Sequence, residues 1–175
     1  MGRRLFAWLG VCVWFGCAHP PLYFQDREHR TTYELQLQEL KTVHFYTSQE
    51  ILAHEVGASG TLEGPDHIFI VSPGTPGAVT DAGPHWLRVS FGSGPGALFL
   101  ANPDVKPDSV YALATESKEG GRPVRVKDLA DPVVTVGERR FRVIHGANAS
   151  LLIDEDDLAR LIEARSHAPG REPSR

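Results

Sequence analysis

Short apolar stretches, separated by turns rich in glycine and proline, run along most of the chain, and this pattern predicts β-strands. The stretch 68–71 is apolar at every position, which predicts a central strand covered on both faces. Residues 133–136 and 139–145 flank the two-residue turn Gly137-Glu138, so they are expected to pair as a hairpin. Further strands are predicted at 43–46 and 51–54, which should also form a hairpin, and at 87–91 and 98–100, which the glycine-rich segment 92–96 should close into another hairpin. Strands are also predicted at 110–114, 124–127 and 149–153.

Two stretches have the spacing of helices instead. Residues 31–40 place Tyr33, Leu37 and Leu40 on one helical face, although the same stretch also alternates like a strand, and a short helix is predicted there. After residue 153 the apolar period lengthens, and Asp154 is placed to cap a helix with an acidic first turn. Its apolar stripe is Leu158, Leu161 and Ile162.

About nine short strands with frequent turns indicate a mainly β fold. We expect a single small sandwich or barrel of short antiparallel strands, with the C-terminal α-helix packed against it. No repeat of a solenoid or propeller is visible in the sequence.

The composition fits one globular domain with appendages. The chain has 175 residues, of which 41% are hydrophobic and 23% charged, far from the disordered and fibrous classes. Its 22 acidic residues outnumber its 18 lysines and arginines, which gives a formal net charge of −4. Because nucleic-acid binding needs a strong basic excess, we expect no nucleic acid among the partners.

The first residues have the layout of a secretory signal. Arg3 and Arg4 precede the apolar run 5–15, and the small residues 16–18 follow it. A run of this length falls short of the about 20 residues that a membrane-spanning helix needs. The only cysteines, Cys12 and Cys17, lie in this region, so the following domain is expected to have neither a disulfide nor a cysteine metal site.

Cys17 stands directly after Gly16 at the end of the apolar run, and this arrangement resembles the lipobox of bacterial lipoproteins. The segment 44–51 is also similar to the opening of uncharacterised bacterial lipoproteins. The lipobox resemblance implies that a lipid is attached to the sulfur of Cys17, that the chain is cleaved just before Cys17, and that the new amino group of Cys17 is acylated. Ala18 then implies sorting to the outer membrane rather than the inner one. The alternatives are cleavage by the ordinary signal peptidase, which would release the protein, and an uncleaved anchor.

With lipidation, the chain divides into four parts. We expect a signal peptide at 1–16, a lipidated cysteine and tether at 17–30, a β-rich globular domain ending in a helix at 31–165, and a disordered tail at 166–175. Removal of the signal takes away two arginines and leaves a net charge of −6.

Enzymatic motifs are weak in this sequence. The segment 92–96 lacks the spacing of a phosphate-binding loop, and 72–77 lacks that of a nucleophile elbow. Eight histidines occur without an HxH or HExxH pattern, although His44 and His54 would face each other if their strands formed a hairpin. We therefore predict no catalytic residues, no metal site and no cofactor.

A local excess of positive charge lies between residues 118 and 145. On strands, Arg125 and Lys127 would share one face and Arg140 and Arg142 another, and pairing of those strands would form a basic patch. Such a face fits an envelope protein partner or an anionic cell-wall or lipid surface; the alternative is a solvated face that discourages edge-to-edge aggregation. The candidate residues are Arg122, Arg125, Lys127, Arg139, Arg140 and Arg142.

Trp86 is out of phase with the apolar alternation that follows it, so it is expected to point away from the core. There it either packs under a loop or the last helix, or anchors a ligand.

Taken together, these features predict a lipid-anchored protein of a bacterial cell envelope, with its domain facing the periplasm or the surface. Its expected role is that of a non-enzymatic structural, adaptor or binding module. One alternative is a carrier whose barrel encloses an apolar ligand such as a lipid, lined by 68–71, Leu87, Phe91 and Phe99. Another is an envelope hydrolase, which requires a histidine and an acid that converge in a cleft.

Overall fold

The computed structural model describes residues 22–24, 30, 35–57, 59–62, 64, 67–101, 110–116 and 122–166. The helices whose bounds lie within these residues are the single turn α1 (Leu37–Leu40), a 3₁₀ turn (Val126–Asp128) and α2 (Glu155–Ser166). The strands in these residues are β1 (Leu22–Phe24), β2 (Phe45–Thr47), β3 (Ile51–Glu55), β4 (Ile68–Val71), β5 (Ala78–Ala82), β6 (Trp86–Ser90), β7 (Ala97–Leu100), β8 (Ala112–Thr115), β9 (Val124–Arg125), β10 (Val133–Val136), β11 (Arg139–His145) and β12 (Leu151–Asp154).

The strands form three antiparallel sheets. Their orders are β1-β12-β2, β10-β11-β3-β4 and β5-β6-β7-β8-β9. Single bridges, Phe45 to Gly77 and Ala112 to Ser150, link the three-stranded sheet to the five-stranded one. The described strands do not close into a barrel. The predicted fold class, mainly β with short antiparallel strands and a C-terminal helix, is confirmed.

The core lies where the four-stranded and five-stranded sheets face each other, since β10 contacts both β7 and β8. From one sheet come Val134 and Phe141, and from the other Leu87, Phe99 and Leu113, all buried. Buried residues alternate with more exposed ones along much of β3, β6 and β11, which is the period-2 pattern of a half-buried strand, whereas β8 is buried at all four positions.

Two predicted hairpins are confirmed, and their turns explain them. β6 pairs with β7 across the glycine-rich segment 91–96, and β10 pairs with β11 so that Val136 lies opposite Arg139. That register leaves Gly137 and Glu138 as a two-residue turn, and Gly137 has φ of 65°, a backbone conformation that glycine adopts without a steric penalty.

The C-terminal helix is confirmed as well. Asp154 Oδ1 accepts the backbone N–H groups of Asp156 at 2.9 Å and Asp157 at 3.3 Å, which is the geometry of an N-cap. Leu158 and Leu161 pack against the core.

Two strand predictions are wrong in their pairing. The apolar strand 68–71 is β4, an edge strand whose Ile68 and Ile70 are 39% and 55% exposed, rather than a central strand. The predicted hairpin between 43–46 and 51–54 does not form, because β2 pairs with β12 while β3 pairs with β11 and β4. Pairing with β12 aligns Phe45 with Ile153, and both side chains are buried in the core.

The described residues cover only part of the N-terminal predictions. In the predicted helix at 31–40, α1 begins at Leu37 and is capped reciprocally by Gln36 and Glu39, and residues 31–34 lie outside the described part. Within the predicted tether, β1 pairs with β12, and Arg30 donates a hydrogen bond to the carbonyl of Gly83. The predicted signal peptide at 1–16, the lipid site Cys17 and the tail from 167 onward lie outside the described residues.

Candidate functional site

A cavity of about 690 Å³ opens at one end of the five-stranded sheet, on the face turned away from the core. It lies where β6 begins, β7 ends and β9 begins, and its volume is typical of small-molecule sites. We call it the Trp86 pocket; it is lined by Pro84, His85, Trp86, Leu100, Arg122, Pro123, Val124, Arg125, Asp128 and Leu129.

The strand register shows which residues of neighbouring strands share the face of the Trp86 pocket. Trp86 lies opposite Leu100, which in turn lies opposite Ala112 of β8, so the three share one face of the sheet. In the neighbouring row Ala114 of β8 lies opposite Arg125. Ala112 and Ala114 are buried, whereas Trp86, Leu100 and Arg125 reach the pocket.

Gly83 sets the position of the indole. A Cβ atom on Gly83 would lie 2.2 Å from Trp86 Nε1, so the ring packs directly against the glycine backbone. The expectation that Trp86 points away from the core is therefore confirmed, since Leu87 is buried on the other face while Trp86 is half-buried and lines the pocket.

Among the described residues of the pocket, two are arginines and one is an acid. Arg122 is exposed at the rim, and Arg125 is held by a 3.0 Å hydrogen bond from its Nη2 to the carbonyl of Val110. Among the described lining residues Asp128 is the one acid, and it lies 3.5 Å from the ammonium group of Lys127. Two arginines thus stand beside an aromatic and aliphatic wall.

The six predicted basic residues are divided between two places. Arg122 and Arg125 line the Trp86 pocket and Lys127 lies in the adjoining 3₁₀ turn. The other three are on β11, which pairs with β10 and β3, whereas β9 pairs with β8. The strand pairing required for one continuous patch is therefore missing from the described strands. On β11, Arg142 pairs with Asp131 at 2.9 Å and Arg139 pairs with Glu55, while Arg140 is exposed.

Glu55, His67 and Arg139 form an ionic cluster beside β4. Arg139 binds both carboxylate oxygens of Glu55, one of them from Nε at 2.7 Å, and His67 Nδ1 lies 2.7 Å from the same carboxylate. The guanidinium also lies 5.2 Å from the ring centre of Phe141, a cation–π distance. The hydrogen bonds, first from Arg139 and then from His67, lower the pKa of Glu55 to about 2.

A second histidine–acid pair joins the start of α2 to the start of β2. Asp157 Oδ2 accepts the backbone N–H of His44 at 2.9 Å and lies 2.8 Å from its ring Nδ1. Burial raises the pKa of Asp157, but these hydrogen bonds and the charge of Arg160 outweigh it, so the pKa is lowered. The sequence placed Asp157 only in the acidic first turn of a helix, and nothing local signals a partner 113 residues away.

His44 is therefore bound to Asp157 rather than placed against His54, which lies opposite Arg142 and Ile68. Among the described residues, neither His44 nor His67 forms a hydrogen bond with a serine or threonine hydroxyl. The two pairs lie at different places on the protein, and the Trp86 pocket includes neither.

Within the described ranges, no three histidine, cysteine or acidic side chains come close enough together to hold a metal ion. The same ranges contain no helix with the length and hydropathy required to cross a membrane. Comparison of the chain with protein-family models, with curated proteins and with solved structures gave no match.

Proposed function

We propose that this protein is a lipid-anchored, non-enzymatic binding module of a bacterial cell envelope, and that the Trp86 pocket is its ligand site. The observation that carries the proposal is the meeting of one aromatic wall and two arginines at a cavity of ligand size. The ligand expected there is an anion with an aromatic or aliphatic body, such as an aryl carboxylate.

Each part of such a ligand has a counterpart in the pocket. Trp86, Leu100 and Val124 provide apolar surface for the body. Arg122 and Arg125 provide planar guanidinium donors that match a carboxylate in geometry and charge. Because Arg125 is already positioned by the Val110 carbonyl, it loses little freedom when a ligand binds.

The proposed anchor would hold the domain close to the bilayer. Cys17 precedes β1 by five residue steps, which span at most about 18 Å when fully extended. Since β1 pairs with β12, the chain between the lipid and the folded body is shorter than a tether reaching to residue 30.

The carrier of an apolar ligand has weaker support. Of the residues that would line its cavity, Leu87 and Phe99 are fully buried in the core. The stretch 68–71 and Phe91 instead line an open groove of about 260 Å³ beside β4. That groove is small for a lipid, and its lining shows no feature that selects one.

A matched pair of ligands tests the site. The full chain is placed in neutral lipid nanodiscs, and binding of 1-naphthoate and of uncharged 1-naphthamide is measured by calorimetry against empty discs. We expect naphthoate to bind at least about tenfold more tightly, since a charge-assisted hydrogen bond contributes roughly 1.5–3 kcal/mol. Equal binding of both compounds would favour an apolar carrier, and binding of neither would refute the proposed site.

Two variants connect the binding to the pocket. Arg122→Gln should weaken naphthoate binding about three- to tenfold, at the low end for a charged hydrogen bond because Arg122 is exposed. Arg140→Gln makes the same charge change on β11 and should leave binding unaltered. Equal effects of the two substitutions would indicate attraction by net charge rather than a site.

The anchor is tested separately by mass spectrometry of the mature N-terminus. Acyl chains on Cys17 would support it, and an unmodified start at His19 would refute it.

A further inference from the structure

The free edge of the four-stranded sheet carries an apolar strand without charge. In the described part of the chain β3 is the one strand that pairs with β4, which leaves the other side of β4 without a strand neighbour. β4 contains no lysine, proline or bulge, the devices by which proteins usually block pairing at an edge.

The register shows which backbone groups are available at this edge. Glu55 donates its N–H to the carbonyl of His67 at 2.8 Å, so this pair is hydrogen-bonded, and the pair of Ala53 with Phe69 two residues on is hydrogen-bonded too. The N–H and C=O groups of Ile68 and Ile70 therefore point away from β3. Their side chains are also exposed, on the outer face of the sheet.

We propose that β4 pairs antiparallel with β4 of a second copy of this chain, about a twofold axis at Phe69. In this register Ile68 of each copy lies opposite Ile70 of the other, and the outward backbone groups form four hydrogen bonds. The same register aligns two isoleucine pairs on the outer face, a favourable cross-strand contact. Because the spacing from Phe69 to each isoleucine is the same, the edge is complementary to itself.

The charges at the two ends of β4 favour this orientation. The ionic cluster of Glu55, His67 and Arg139 lies at the N-terminal end, whereas Ser72 and Pro73 follow the C-terminal end. Antiparallel pairing places each cluster beside the neutral end of the other copy, and parallel pairing would bring two arginines together.

The inner side of the edge has room for the contact. The groove beside β4 is bounded by Phe91 and Pro95 of the β6–β7 loop. Pairing about Phe69 would bring the two copies of this side chain together at the groove, where Phe69 already lies 5.7 Å from the ring of Phe141. Pro73 and Pro76, which follow β4, limit the pairing to a short strand and so to a closed dimer.

Native mass spectrometry of the full chain, released from detergent over a range of concentrations, tests the proposal. We expect a dimer whose dissociation constant rises at least about tenfold in Ile70→Lys, which places like charges at the paired edge. Ile70→Pro should weaken the dimer similarly, and because this N–H points away from β3 it leaves the sheet of the monomer intact.

Ile144→Lys is the matched control. Ile144 is 55% exposed, the same as Ile70, but it lies on β11, which has a strand neighbour on each side. It should leave the dissociation constant within about twofold of the original value. A chain that stays monomeric at every concentration would overturn the proposal. So would an equal rise of the dissociation constant in Ile70→Lys and Ile144→Lys, or an unchanged dissociation constant in both Ile70→Lys and Ile70→Pro.

Discussion

The pair of His44 and Asp157 is either a structural tie or half of a catalytic site, and one substitution separates these roles. Asp157 is 6% exposed and accepts two hydrogen bonds from His44, whose side chain is 60% exposed. Asp157→Ala removes both hydrogen bonds and leaves the backbone N–H of His44 without this acceptor. A hydrogen bond to a charged group contributes roughly 1.5–3 kcal/mol and the two are not additive, so we expect a loss of about 3 kcal/mol.

Urea unfolding of the full chain in detergent, followed by pulse proteolysis, measures this loss. Asp156→Ala is the control, since Asp156 is exposed in the same helical turn and should cost only about 0.3–1 kcal/mol through the helix dipole. For a chain of this size, 3 kcal/mol lowers the melting temperature by about 6–12 °C. His44→Ala should cost less than Asp157→Ala, because the backbone hydrogen bond remains.

The pH dependence gives an independent check. A pKa lower in the folded than in the unfolded chain means that the carboxylate stabilises the fold above the ordinary pKa of 3.8. That contribution is lost as the pH falls through the folded value, so the advantage of the original chain over Asp157→Asn should shrink as the pH falls below 3.8. Equal losses for Asp157→Ala and Asp156→Ala would refute the structural tie. The structural role would also be refuted if His44→Ala left the free energy of unfolding unchanged but abolished a measured ester hydrolysis.

Three further predictions follow from the packing and the ionic cluster. Gly146→Ala should cost more than about 2 kcal/mol in urea unfolding, because Gly146 has φ of 83° and a Cβ there would lie 2.1 Å from the Glu50 carbonyl oxygen; a loss under 0.5 kcal/mol would contradict this. Leu87→Ala should cost about 2–5 kcal/mol as a fully buried core truncation, and a smaller loss would mean that the core collapses around the site. The pKa of Glu55, about 2 in the folded chain beside Arg139, should appear in an NMR titration of its carboxyl carbon. Its stabilisation is complete above about pH 4.5 and is lost as the pH falls toward 2, so a midpoint near 4.5 would contradict the ion pair.

Much of the local structure could be predicted from short sequence patterns. Gly137-Glu138 specified the β10–β11 hairpin, because a two-residue turn requires a residue with positive φ. Asp154 specified the start of α2, since its carboxylate reaches the N–H groups two and three residues ahead. The phase of Trp86 relative to Leu87 predicted its direction correctly.

The candidate site was less predictable. Trp86, Arg122 and Arg125 were each singled out, but nothing in the sequence indicated that they line one cavity. Their meeting depends on the pairing of β6 with β7, β7 with β8 and β8 with β9, which brings distant parts of the sequence to one end of the sheet. The predicted basic face was divided for the same kind of reason, since β9 and β11 belong to different sheets.

The strand period, the turns, the C-terminal helix and the direction of the Trp86 side chain could be predicted, because each depends on residues within a few positions of one another. The pairing of strands depends instead on the fold as a whole: β2 pairs with β12, β4 lies at an edge, and β9 lies beside the Trp86 pocket. Strand pairing joins residues that are as far apart as Phe45 and Ile153. The sequence of an apolar strand does not show whether the strand has a neighbour on one side or on both. Which strands become neighbours depends on how all of them compete for the same buried surface, and a short sequence pattern contains no information about this competition.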